Sequence, residues 1–125
     1  MSLKNVDEIR RGDIVFVADT QQRNPHDFII YGNHPAVVVQ NNVGNAYSQN
    51  LVVAFVTSSL KRLDIPTHFV LEGYNGLRKK ESMVETEQLR TISKNDVIAV
   101  FDHLKEEDMV KLNAALIHSL AIGEV

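Results

Sequence analysis

The sequence predicts a mainly β (α+β) fold: a small barrel or curled sheet with one C-terminal helix. Three observations predict it. Short runs rich in β-branched and aromatic residues recur between polar turns. The apolar period then changes from two to about 3.6 beyond Glu106. The chain has 125 residues, which suits one domain spanning 1–125 and is long enough to bury a core without disulfides.

The elements follow in order. Residues 1–12 are a polar lead-in. Its charges, among them Lys4, Asp7, Glu8 and Arg10, leave no apolar core for a secretory signal. Gly12-Asp13 opens the strand-like run Ile14 to Ala18. Asp19 to Asn33 is polar, contains Pro25 and Gly32, and reads as a long loop of the kind that carries function. Its apolar stretch Phe28 to Tyr31 is expected to fold back on the body or onto a partner. His34-Pro35 leads into a second strand, Ala36 to Val39; proline is tolerated at a strand start. Gln40 to Asn50 is rich in Asn, Ser and Gly and reads as a loop.

Leu51 to Thr57 is the most apolar strand and is expected at the centre of the sheet. Ser58 to Pro66 is a connection, Thr67 to Leu71 a strand, and Glu72 to Gly76 a turn. Ser82 to Glu85 and Gln88 to Thr91 read as short strand pieces, and Asp96 to Phe101 as a further strand. From Glu106, the residues Met109, Leu112, Leu116 and Leu120 recur at spacings of three and four, with Ile117 beside them. They define one face of a helix of about four turns. Glu106, Glu107 and Asp108 suit its N-terminus, and Gly123 is a stop. Lys105 stands where a capping Asp or Ser is usual.

Composition excludes several classes. The absence of cysteine rules out disulfides, thiolate catalysis and Cys-based zinc sites, and fits a reducing cytoplasm. The longest apolar run, Leu51 to Val56, is far short of a membrane span. The net charge of −3 argues against non-specific coating of nucleic acid. It leaves room for a local groove beside the clusters Arg10-Arg11, Lys61-Arg62 and Arg78-Lys79-Lys80. Each cluster also reads as solvated loop charge.

The histidines give no metal signature. His26, His68, His103 and His118 show no His-x-x-x-His or Glu-x-x-His spacing on a helix, so neither a metal site nor a cofactor is expected.

Five blocks then carry a resemblance: Arg11 to Asp19, His34 to Asn45, Val53 to Ser58, Leu63 to His68 and Glu87 to Ile92. With the closing helix, they resemble in order the blocks of the MazF/PemK (Kid) toxin family. Each block is weak alone; the colinear set is specific. The resemblance implies a small SH3-like barrel of the CcdB/MazF/PemK type with a C-terminal helix, working as a cytoplasmic homodimer. It implies a type II toxin–antitoxin endoribonuclease that cuts single-stranded RNA sequence-specifically, without a metal, by 2′-hydroxyl attack on the adjacent phosphate. A cognate antitoxin with an acidic, partly disordered tail is the implied inhibitor, and operator DNA a further partner of the pair.

Such cleavage needs a base for the 2′-hydroxyl, a donor or cation for the non-bridging oxygens and an acid for the leaving oxygen. The family's central pair is an Arg before the Pro of the second strand and a Thr ending the third. The Thr is present as Thr57. The Arg position is occupied by His34. Histidine exchanges protons near neutral pH but does not reproduce a permanently charged fork. Three readings stay open: His34 takes over proton transfer, Arg23 in the neighbouring loop supplies the charge, or the site is inactive. The last leads to the alternative function, a catalytically degenerate module that binds antitoxin and operator DNA, or a CcdB-like poison of a protein target.

Around the candidate catalytic residues His34, Thr57 and Arg23, the candidate RNA contacts are Ser58, Ser59, Tyr47, Lys61, Arg62 and Gln88. Tyr47 offers a face for an unpaired base or a dimer contact. Lys61 and Arg62 offer charge to phosphates or to antitoxin carboxylates. Glu87, Gln88 and Arg90 knit a turn to the barrel with hydrogen bonds in one reading; in the other, Gln88 touches RNA. Thr57 also suits a strand end on β-propensity alone.

Overall fold

The computed structural model describes residues 8–18 and 32–123. Six strands form one antiparallel sheet: β1 (Asp13–Val17), β2 (His34–Val38), β3 (Asn50–Thr57), β4 (His68–Glu72), β5 (Glu81–Ser93) and β6 (Val97–His103). Their order across the sheet is β4-β5-β3-β2-β1-β6. A short helix, α1 (Asn42–Tyr47), links β2 to β3, and α2 (Glu106–Leu120) closes the chain. The mainly β class with a C-terminal helix is as the sequence predicts. The described ladder stays open, with β4 and β6 at its edges.

Period-two alternation sorts the apolar side chains onto two faces. One face gathers Val15, Val17, Ala36, Val38, Leu51, Val53 and Phe55 with Ile92, Val97 and Val100. The other gathers Ile14, Val37, Ala54, Val56 and Val84 against Leu112 and Leu116 of α2. The apolar run of β3 is buried on both faces because it is an inner strand. On α2, Leu120 and Ile117 remain 55% and 43% exposed, so the buried stripe is shorter than the spacing suggests.

Local structure differs from the sequence reading at four points. The expected loop after β2 contains α1, whose N-terminus is capped by Asn41 accepting from the Gly44 N–H at 2.8 Å. The two expected strand pieces are one strand, β5, interrupted by a bulge. Ala54 pairs with Leu89 and Phe55 with Glu85, which leaves Thr86, Glu87 and Gln88 out of the ladder with β3. The weak cap of α2 is relieved from outside the helix: the Lys105 N–H donates to the Tyr74 hydroxyl, which itself donates to Asp108. The left-handed residue that ends α2 is Ala121, two residues before the expected stop at Gly123.

Candidate active site

β2 and β3 run antiparallel with Ala36 opposite Phe55 and Val38 opposite Val53. The ladder pairs end at Ala36 and Phe55; extended by two residues, the same register would point His34 and Thr57 to one face of the sheet. Both are half-buried at the end of their strands. The His34 ring meets Phe55 edge-on, with centroids 6.3 Å apart and planes at 75°. The Arg90 guanidinium lies 4.8 Å from the centre of the same phenyl ring. Phe55, 3% exposed, therefore fixes an imidazole and a guanidinium around one rigid platform.

Thr57 ends its strand in a local turn. Its Oγ1 accepts from the Ser59 N–H at 3.1 Å, which leaves the hydroxyl hydrogen to be directed elsewhere. Ser58 is half-buried and Ser59 exposed, both immediately beside this turn. Gln88 is half-buried in the β5 bulge. Arg23 and His26 lie outside the described residues, as does the Phe28 to Tyr31 stretch.

The other expected contacts lie apart from this pair. Tyr47, 86% exposed, ends α1 beside the start of β3, whereas Thr57 ends that strand. The strand rise separates the two ends by roughly 24 Å. Lys61 is exposed in the β3–β4 connection. Arg62, also exposed, is already engaged: its Nε and Nη2 donate to the two Asp64 carboxylate oxygens at 3.0 and 3.1 Å. That hydrogen-bonded pairing raises the guanidinium above its ordinary range and lowers the Asp64 carboxyl below its own. A phosphate reaching Arg62 has this carboxylate to displace.

Its place in the sequence gives Arg90 only a structural role. Its nearness to Phe55 depends on the bulge, which brings Arg90 opposite Val53. The signal that points to it is the cation expected somewhere near a phosphate once His34 replaces an arginine. A second hollow, about 320 Å³, is lined by Phe16, Pro35, Gly76, Leu77, Arg78 and Phe101. Pro35 and His34 alternate along β2, so this hollow opens on the other side of the strand. Among the described residues that line it, Arg78 is the ionisable side chain and none is an acid–base group.

Several known proteins are similar to this chain. A family model described as PemK-like, MazF-like toxin of type II toxin-antitoxin system matches residues 10–120. Endoribonuclease MazF of Staphylococcus saprophyticus is 33% identical over 117 residues, covering 94% of this chain and 95% of that protein. Endoribonuclease EndoA of Bacillus subtilis is 31% identical over 119 residues, covering 91% and 96%. Among solved structures, a mycobacterial endoribonuclease in complex with its cognate antitoxin superposes with a TM-score of 0.73 at 20% identity, covering 94% and 99%. MazF of Deinococcus radiodurans gives 0.70 at 17% identity, covering 97% and 99%. At such identities the superpositions speak to the fold.

Proposed function

The chain belongs to the PemK-like, MazF-like toxins of type II toxin–antitoxin systems, and from that membership we propose that it is a sequence-specific, metal-independent endoribonuclease acting on single-stranded RNA. What supports the reading is the contact of His34 with Phe55, the Arg90 guanidinium against the same ring, and a strand register that runs on towards Thr57.

The chemistry divides among these groups. His34 accepts the ribose 2′-hydroxyl proton as the 2′ oxygen attacks the adjacent phosphorus. Thr57 donates its hydroxyl hydrogen to a non-bridging oxygen as charge gathers there. Arg90 contributes a permanent positive charge near the place that the family's arginine occupies. The bond from phosphorus to the 5′ oxygen breaks, and that oxygen takes a proton from solvent. The products are a 2′,3′-cyclic phosphate and a 5′-hydroxyl end.

The working form in this reading is a homodimer, to which the exposed Val110, Ile117 and Leu120 of α2 offer apolar surface. A cognate antitoxin is the natural inhibitor, its acidic tail competing for the cations that face RNA. Among the described residues no helix is long and apolar enough to cross a membrane.

Purified protein is expected to cut a mixed RNA pool in the presence of EDTA and to leave 5′-hydroxyl ends. Folded protein that cuts no RNA of varied sequence over a wide pH range overturns the proposal. The substitution of His34 for arginine favours one rival, a degenerate binding module or a poison of a protein target. Growth arrest with intact cellular RNA identifies the poison, and no arrest identifies the module.

A further inference from the structure

We propose that His68, Glu85 and Glu87 form a binding site for one divalent transition-metal ion, separate from the His34–Thr57 centre. Strand β4 pairs His68 directly with Glu85 on β5, and the bulge returns Glu87 to the same point. One ligand atom from each of the three lies within 4.8 Å of the others. Donors around a single ion stand about 3–4 Å apart, given metal–ligand bonds of about 2.0–2.2 Å. Glu87 is the most exposed of the three and has room to close the difference.

The orientation of His68 is already that of a metal ligand. Its side chain is 5% exposed. Nδ1 lies 3.2 and 3.1 Å from the carbonyl oxygens of Lys61 and Arg62. Carbonyls only accept, so Nδ1 carries a hydrogen and Nε2 is the atom turned to the carboxylates. A backbone carbonyl that holds the far ring nitrogen is the usual support of a ligating histidine. Nε2 stands 2.9 and 2.8 Å from the two Glu87 oxygens. Nε2 and the Glu87 carboxylate thus face one another, as two ligands of one ion would.

Glu85 is the independent observation. It is 5% exposed. Among the described residues no hydrogen bond or ion pair reaches its carboxylate, and no side-chain oxygen is both fully buried and unpartnered, so its oxygens keep the narrow solvent contact through which an ion enters. A carboxylate on so buried a residue is normally paired, hydrogen-bonded or bound to a metal. A divalent ion balances the charge of both carboxylates. One nitrogen and two oxygen donors suit Zn²⁺, Mn²⁺, Co²⁺ or Ni²⁺ and leave positions for water. The three ligands come from β4 and β5, with β3 between them and His34, so occupation ties β4 to the bulge that carries Gln88.

The test uses the full-length, tag-free chain stripped of metal. Titration with Zn²⁺ by calorimetry, and with Co²⁺ by visible absorption, is expected to show one site per chain and a rise in the melting temperature. His68→Ala is expected to abolish the site. Glu85→Gln and Glu87→Gln, which keep the side-chain shapes, are expected to weaken it at least about tenfold, in line with ligand loss, and to lose the thermal shift. Circular dichroism identifies the variants that remain folded, and the two glutamine variants decide the matter if His68→Ala does not fold. No saturable binding, or equal binding by wild type and folded variants, overturns the proposal. Cleavage of RNA in EDTA bears on the reaction and leaves this result independent.

Discussion

His34 and Phe55 meet edge-to-face across two adjacent strands, with ring centroids 6.3 Å apart. The contact restricts the imidazole at the start of β2, where no acidic side chain among the described residues hydrogen-bonds to it. His34→Ala removes the proposed base and leaves the Phe55 platform in place. The expected loss in kcat/KM for RNA cleavage is about 10²–10⁴-fold, the range for a positioned acid–base group. His34→Arg supplies a fixed charge instead. It is expected to retain cleavage. Unchanged cleavage by His34→Ala, measured on a single defined RNA, removes His34 from the reaction.

Thr57→Val tests the hydroxyl with little change of shape. Thr57 is half-buried at a strand end, and its Oγ1 holds the local turn to Ser59. The stability cost is expected to be about 1 kcal/mol or less. Loss of a donor aimed at developing charge is expected to lower kcat by about 10²-fold or more. Thr57→Ser is expected to recover most of it. A valine variant that cleaves like wild type, in the same end-labelled RNA assay, excludes the hydroxyl.

The legible parts of this protein were those set by local pattern. Alternating apolar runs marked the strands, and the spacing of Leu112 and Leu116 marked α2. The central place of Leu51 to Val56 followed from its having no polar side. What escaped the sequence was set by pairing across distance. His68 and Glu85 are 17 positions apart and become neighbours only when β4 and β5 pair. No helical spacing rule reaches such a pair. Arg90 comes beside Phe55 only because three residues bulge from β5. The loop assigned to 40–50 contains α1 because Asn41 caps it, a signal hidden in a run of residues that usually make turns.

Asn45 gives that helix its second anchor. It is fully buried, and its Nδ2 donates to the Gln40 carbonyl at 2.9 Å and to Asn42 Oδ1 at 3.2 Å. Its Oδ1 accepts from Gln40 Nε2 at 3.1 Å. Asn45→Ala leaves these partners without it and opens a small void. The expected destabilisation in urea is about 1–3 kcal/mol. Asn41→Ala, which removes only an exposed cap, is expected to cost about 1 kcal/mol. A larger effect at Asn41 than at Asn45 contradicts this ranking.

Tyr74 links the β4–β5 turn to the start of α2, and its titration makes the link visible. Burial, and then the hydrogen bond to Asp108, push its phenol from 10.0 up to about 12. The protonated form is therefore favoured in the folded state. Its contribution to stability is fully present below pH 10, falls between pH 10 and about 12, and is lost above that. Tyr74→Phe removes the donor to Asp108 and the acceptor for the Lys105 N–H, and leaves a buried carboxylate less satisfied. The expected cost near neutral pH is about 1–3 kcal/mol. The gap between wild type and Tyr74→Phe is expected to stay constant up to pH 10 and to narrow through about pH 12. Denaturant titrations at a series of alkaline pH values, with phenolate absorbance followed in parallel, measure both. A gap that widens with pH contradicts a raised Tyr74, because it means that the folded state prefers the phenolate.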